Sequence, residues 1–130
     1  MIVVDASAVV DVLLDTGERG SWARAELRAA DVTHAPHLLD YEALSATRKM
    51  VLLREISAER GAQALEDLKA LPLRRYPAQP FVDRAWALRH TISARDAFYV
   101  ALAEALDCAL VTTDGRLARS HGHEALVRSP

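Results

Sequence analysis

This sequence predicts an α/β fold, a three-layer α/β/α sandwich around a central and mostly parallel sheet. Two observations carry the prediction. Ile2-Val3-Val4 and Ala109-Leu110-Val111-Thr112 are uninterrupted apolar, β-prone runs, as expected of strands buried on both faces. Stretches of helical spacing alternate with the strand candidates, which implies parallel strands joined by right-handed crossovers. With 130 residues, a single domain over 1–130 buries about two-thirds of its unfolded surface and needs no staples. No internal repeat, low-complexity run or interdomain linker interrupts it.

The elements follow in order. Ile2 to Val4 form a strand that runs into Asp5. Ser7 to Leu14 place Val9, Val10, Leu13 and Leu14 at helical spacing, and Asp15-Thr16-Gly17-Glu18 break the pattern. Ser21 to Ala30 read as a second helix with Trp22, Ala25 and Ala29 inward and Arg24 and Arg28 outward. Val32 to Ala35 are a short strand, and Pro36 suits a first helical position, where its missing N–H costs nothing. A long helix runs from His37 to about Leu53, with Leu39, Ala43, Met50 and Leu53 as its apolar stripe. Glu42 is flanked at i±3 and i±4 by Leu38, Leu39, Ser45 and Ala46, which predicts partial burial; Asp40 points nearly opposite, toward solvent.

Ser57 is an N-cap with Glu59 in the first turn, and Gly61, Ala64, Leu65, Leu68 and Leu71 continue that helix until Pro72. Leu73 to Tyr76 form a strand bounded by Pro77, and Phe81 to Leu88 a short helix. Ser93 caps a helix reaching about Leu106. From Ala97 onward all its residues but Glu104 are apolar, so protein should nearly encircle it. Ala109 to Thr112 then deliver Asp114-Gly115, and Ala125-Leu126-Val127 are a final strand candidate.

Composition narrows the function. A formal net charge of −2 advertises no general affinity for nucleic acid, although a local basic patch can suffice. Only Lys49 and Lys69 among the 16 basic residues are lysine; arginine suits bidentate phosphate or carboxylate contacts, but a GC-rich genome yields the same bias. The single cysteine, Cys108, makes no internal disulfide and fits a reducing compartment. Residues 2–5 read as structure rather than as a leader, and no apolar run approaches the ~20 residues of a membrane span. A cytoplasmic protein is expected.

The two most strongly apolar strands each end in an aspartate, Asp5 and Asp114. Ligand sites of open parallel sheets lie at the carboxyl ends of the strands, so the two acids lie side by side if these strands are neighbours. Asp96 starts the helix feeding the second strand, and that helix begins at the same sheet edge. Glu42 joins only if its helix packs beside that edge. Each acid also has a plainer reading: Asp5 as a solvated strand end or N-cap, Asp96 with Ser93 as a capping pattern, Asp114-Gly115 as a turn, Glu42 as an arginine partner. Collectively they pose a problem of charge. Two like charges 4 Å apart repel by about 4 kcal/mol at an effective dielectric near 20. Oxygen ligands without a nearby histidine or cysteine cluster point to Mg²⁺ or Mn²⁺, and such a site suits metal-assisted attack of water on a phosphodiester.

Rival motifs are missing. There is no GxGxxG or GxxxxGK, Ser7 stands where a haloacid-type phosphatase wants its second aspartate, and neither lysine sits at the late strand end a receiver domain requires. His121-Gly122-His123 could hold a stray transition metal, although such a pair in a tail is more often solvated.

Val3-Val4-Asp5-Ala6-Ser7-Ala8, Ala35-Pro36 ahead of Glu42-Ala43-Leu44, Ser93-Ala94-Arg95-Asp96-Ala97 and Leu110-Val111-Thr112-Thr113-Asp114, in this order over essentially the whole chain, resemble the PIN-domain family. Within it the chain resembles the VapC-type toxins of bacterial and archaeal type II toxin–antitoxin modules. The resemblance implies a Mg²⁺- or Mn²⁺-dependent endoribonuclease acting on cellular RNA. It implies Asp5, Glu42, Asp96 and Asp114 as the acidic, metal-binding quartet, and Ser7 and Thr112 as hydroxyls that steady it. It also implies a homodimer and a VapB-type antitoxin, seated on the hairpin of the His37–Leu53 and Ser57–Leu71 helices. A housekeeping PIN nuclease and a catalytically silent PIN-like binding module stay open as alternatives.

Overall fold

A computed structural model describes residues 1–14 and 16–130; Asp15, in the expected break, lies outside the described residues. Among these residues five strands form one sheet: β1 (Ile2–Val4), β2 (Thr33–Pro36), β3 (Leu73–Tyr76), β4 (Ala109–Val111) and β5 (Val127–Arg128). Their order is β3-β2-β1-β4-β5 and all neighbours are parallel. The sheet is therefore wholly parallel among the described residues, beyond the mostly parallel arrangement the sequence implies. Val3 pairs with both His34 and Leu110, which puts the most apolar strand at the centre.

Among the described residues, seven helices flank the sheet in a three-layer α/β/α sandwich: α1 (Ala6–Leu13), α2 (Gly17–Ala29), α3 (Leu38–Leu52), α4 (Ala58–Ala70), α5 (Val82–Ala87), α6 (Ala94–Leu106) and α7 (Gly115–Ala118). The helix α6 lies across β1, β2 and β4 with α5 beside it, and α1 packs on α2, α3 and α4. Val3, Val4, Val100, Leu102, Leu110 and Val111 are completely buried, each adding about 1.5–3 kcal/mol over an exposed side chain. As expected, α6 is nearly encircled, with Ala105 exposed and Phe98 and Leu106 half-buried. No helix among the described residues is long and apolar enough to cross a membrane.

Several boundaries differ from expectation. Gly17, at φ +62°, opens α2 four residues before Ser21. Gly20 and Ala23 face inward there, while Ala25 and Ala29 are exposed. Arg24, expected outside, is half-buried because its guanidinium donates to Val12 O at 3.0 Å. Arg60 donates to Leu13 O at 2.7 Å, so two arginines satisfy carbonyls that the end of α1 leaves without helical partners. Pro36 ends β2 rather than starting a helix. It pairs with Tyr76 of β3, and the β1 pairing stops at His34, so its missing N–H breaks no ladder toward β1. In α3 the buried stripe is Leu39, Ala43 and Thr47; Leu53 lies past the last turn, 59% exposed. The helix before Leu88 is preceded by a 3₁₀ turn, Gln79–Phe81. Thr112 falls just outside β4, and β5 begins two residues later than Ala125, in register with Leu110.

Candidate active site

The adjacency of β1 and β4 creates the site. Asp5 N–H donates to Val111 O at 3.1 Å, so the first acid stands where both strands end. It also caps α1. Its Oδ1 accepts from Ala8 N–H at 3.0 Å and Ser7 Oγ at 2.7 Å, and its Oδ2 from Thr112 Oγ1 at 2.5 Å. Thr112, wholly buried, in turn accepts from Asp114 N–H at 2.9 Å and lies 3.2 Å from Ser7 Oγ. One hydroxyl thus links the acids at the ends of two strands. Burial pushes the Asp5 carboxyl up to about 6, against the pull of these hydrogen bonds from Thr112, Ala8 and Ser7; the charge of Asp96 adds to the rise. Desolvation of the charged form is the dominant cause.

Asp96 occupies the first turn of α6, where Ser93 Oγ accepts from its N–H at 3.2 Å. Its Oδ2 lies 3.5 Å from Arg116 Nη2. Asp114 caps α7 by accepting from Arg116 N–H at 2.8 Å and pairs with the same guanidinium at 3.3 Å. Glu42, on α3, a helix that packs beside α1 and β2, accepts from Tyr99 Oη at 2.8 Å and pairs with Arg95 Nε at 3.2 Å. Burial raises its carboxyl, with the charges of Asp96 and Asp5 adding and Tyr99 and Arg95 opposing. Burial, then the charge and hydrogen bond of Glu42, push the Tyr99 hydroxyl far up, so it stays a donor.

All four acids and Ser7 line one cleft of about 740 Å³; Thr112 sits behind it. Three of the plain readings hold as well: Asp5 caps a helix, Ser93 caps the helix of Asp96, and Glu42 has its arginine; Asp114, expected in a turn, instead caps α7. A residue at a strand end or helix start performs both tasks because the same geometry that needs a cap points the carboxylate at the sheet edge. Among the described residues, His121 and His123 belong to no group of three or more potential metal ligands. His123 Nε2 is hydrogen-bonded to Ser120 Oγ at 2.8 Å.

The donors lining this cleft are carboxylates and hydroxyls, without histidine or cysteine, a set that fits a hard divalent ion. Among the described residues, however, no three acids, histidines or cysteines converge as a ready-made ligand group. The crowding of acids implies a shared cation; here Arg95 and Arg116 partly offset their charge. Those two arginines, Tyr99 and the buried Asp11 escaped the sequence reading. Signals for them exist: Arg95 and Tyr99 bracket Asp96 on α6, Arg116 follows Asp114 by two, and Asp11 lies one turn after Ser7. Asp11 lines the same cleft and is held by Thr16 Oγ1 at 2.5 Å and Arg19 at 3.6 Å.

Comparison with known proteins gives concordant results. The PIN domain family matches residues 2–121. The chain is 46% identical over 127 residues to Ribonuclease VapC12 of Mycobacterium tuberculosis, covering 98% of this chain and 97% of that protein. Among solved structures, the fold is similar to Mycobacterium tuberculosis VapC20, a sarcin–ricin loop cleaving toxin, with a TM-score of 0.71 at 16% identity over 97% of this chain and 98% of that one. It is also similar to a chain of a toxin–antitoxin complex from Klebsiella pneumoniae, with a TM-score of 0.68 at 19% identity over 100% and 98%. At those identities the two structures speak to the fold alone.

Proposed function

Because this chain belongs to the PIN-domain family and, within it, to the VapC ribonucleases, we propose that it is an endoribonuclease toxin of a type II toxin–antitoxin system. The substrate is cellular RNA and the inhibitor a VapB-type antitoxin. We read residues 1–130 as one domain that acts in the cytoplasm as a homodimer, with the α3–α4 hairpin as antitoxin seat. The observation that carries the reading is the meeting of Asp5, Asp96, Asp114 and Glu42, from four separate elements, in one open cleft at the carboxyl edge of a parallel sheet.

The residues that would hold a divalent ion, Mg²⁺ or Mn²⁺, are Asp5, Asp96, Asp114 and Glu42. Bound there, it supplies a lowered water pKa and positive charge at the phosphodiester. The chain's own groups do the rest. Thr112 and Ser7 hold both oxygens of Asp5 in fixed directions, which limits the reorganisation of the acid during reaction. Tyr99, held as a donor, orients Glu42. Arg95 and Arg116 reach the acids from the exposed rim, where they can turn from carboxylate to phosphate as RNA enters.

Purified protein should cut RNA in Mg²⁺ or Mn²⁺ and stop in EDTA, and Asp5→Asn or Asp96→Asn should abolish cutting while the protein stays folded. Undiminished cleavage in EDTA would remove the ion from the mechanism. Growth arrest on expression, relieved by the product of a small neighbouring reading frame, separates the toxin from a housekeeping nuclease. Mapping cleaved 5′ ends after induction would identify the target.

A further inference from the structure

A second cleft, of about 490 Å³, opens beside the first and shares Asp96 with it. Its walls are the loop after α5 and the segment from α7 to His121. Three arginines and two histidines line it against a single carboxylate, that of Asp96, in a chain whose net charge is −2. Arg116 stands at the junction, its guanidinium reaching Asp96 and Asp114 of the first cleft. Arg89 and Arg119 make no ion pair among the described residues, whereas Arg75, Arg84 and Arg95 are each paired with a carboxylate. A Cβ on Gly115 would come within 2.9 Å of Arg119 Nη1, so the bare backbone of this glycine lets the Arg119 guanidinium lie against the start of α7, next to Asp114. Beside Arg89, Trp86 is 67% exposed; the Arg89 guanidinium lies over one face of its ring, 4.6 Å from the centroid, and donates to Trp86 O at 3.1 Å, leaving the other face open.

We propose that this second cleft is the track for the RNA backbone beside the acidic centre, with Arg89, Arg116 and Arg119 on the phosphates and Trp86 stacking a base at its edge. The proposal rests on the ribonuclease reading and assigns how that site holds its substrate. Arg89 and Arg119, facing one cleft without a carboxylate partner, repel each other until a polyanion fills it, and nucleic acid brings one charge per nucleotide. An exposed indole beside a cation is a platform for a base, the combination used to hold single strands without sequence readout. An acidic polypeptide would meet the arginines but bring no base for Trp86. A strand leaving the acids past Asp96 meets Arg116 first, which keeps the scissile phosphate in register with the carboxylates.

The test uses the full chain and a fluorescein-labelled, mixed-sequence single-stranded RNA, in EDTA so that it is not cut. The double variant R89A/R119A should weaken binding about tenfold or more near 0.1 M salt, and the salt slope should fall by about 1.4, at ~0.7 for each phosphate no longer neutralised on a single strand. R89K/R119K should recover most of the affinity. R28A/R74A, which removes the same charge from exposed positions elsewhere, should leave affinity and slope within about twofold of the unmodified protein. RNA should quench tryptophan emission in the unmodified protein but not in Trp86→Ala, where Trp22 remains. If R89A/R119A behaves like R28A/R74A while the unmodified protein still binds and, with divalent metal, cuts RNA, the cleft assignment falls and the ribonuclease stands. If the unmodified protein neither binds nor cuts RNA, both fall. If poly-glutamate binds as tightly as RNA through the same two arginines, with RNA leaving Trp86 emission unchanged, the cleft takes acidic polypeptides and the proposal is overturned.

Discussion

The Asp5 carboxyl caps α1 with 5% of its surface exposed, so ionising it sets three hydrogen bonds against the loss of water. Its pKa is raised from 3.8 to about 6, so between those values the folded chain binds more protons than the unfolded one and stability falls as pH rises. The loss amounts to about 3 kcal/mol by pH 7 in the metal-free protein. Denaturant titrations in EDTA from pH 4 to 7 should show that downward slope, and Asp5→Asn should flatten it; an equal slope in the variant would assign it to other groups. Thr112→Val removes the strongest of the hydrogen bonds that oppose the rise. It should cost about 2 kcal/mol and carry the Asp5 transition to higher pH, measurable by the same titrations. Asp5, Asp96 and Asp114 were legible in sequence because strand ends and helix starts fix where a residue points. Tyr99 was not, because within an apolar helical run its hydroxyl finds Glu42 only once α3 and α6 are placed in space. Arg95 and Arg116 were not either, since nothing local decides whether an arginine beside an aspartate turns toward the cleft or the solvent.

At the scale of elements, α4, β3 and α6 have nearly the expected bounds because capping serines or prolines mark their ends. Ser57 Oγ accepts from Arg60 N–H at 3.0 Å, as Ser93 does from Asp96 N–H. Ser93→Ala should cost about 1 kcal/mol in thermal denaturation and reduce cleavage, because the freed turn carries Asp96. Elements without such marks were harder to bound. The burial of α2 rests on Gly20 and Ala23, whose small side chains produce no periodic signal, and β5 is a two-residue edge strand whose register is set by β4. Glu104 ties three elements together. It takes Arg84 Nε and Nη2 at 2.7 and 2.9 Å and accepts from Glu124 N–H at 2.9 Å, joining α5, α6 and the approach to β5. The Arg84 hydrogen bond holds its carboxyl below the usual range, so the sign is opposite to that of Asp5. Its contribution is present above about pH 4.5 and lost as pH falls through the lowered value. Glu104→Gln should therefore lower stability at pH 7, and the difference from the unmodified protein should shrink toward pH 3.

Over the whole molecule, the two strands clearest in the sequence are the ones that define the sheet's interior, β1 and β4, with β2 completing the buried centre. Their amides should exchange with solvent only through global unfolding, while those of β5 exchange through local opening; native-state hydrogen exchange distinguishes the two. Leu110→Ala, at a wholly buried position beside Val3, should cost about 2–5 kcal/mol in denaturant unfolding. What composition concealed at this scale is the charge distribution. A net charge of −2 averages an acidic cleft against a basic one, and only the folding of the α5–α6 loop next to α7 separates them. The pairing of β1 with β4 also has a consequence in time. Asp5 is translated 107 residues ahead of Thr112, and at ~5–20 residues per second about 5–20 s separate the two. Until then the nascent chain lacks the strand that completes the acidic centre, and prematurely terminated products lack it permanently. A cell making this ribonuclease is therefore exposed to its activity only after Thr112 and Asp114 have been translated and β4 has docked on β1, an interval in which an inhibitor made earlier can already be waiting.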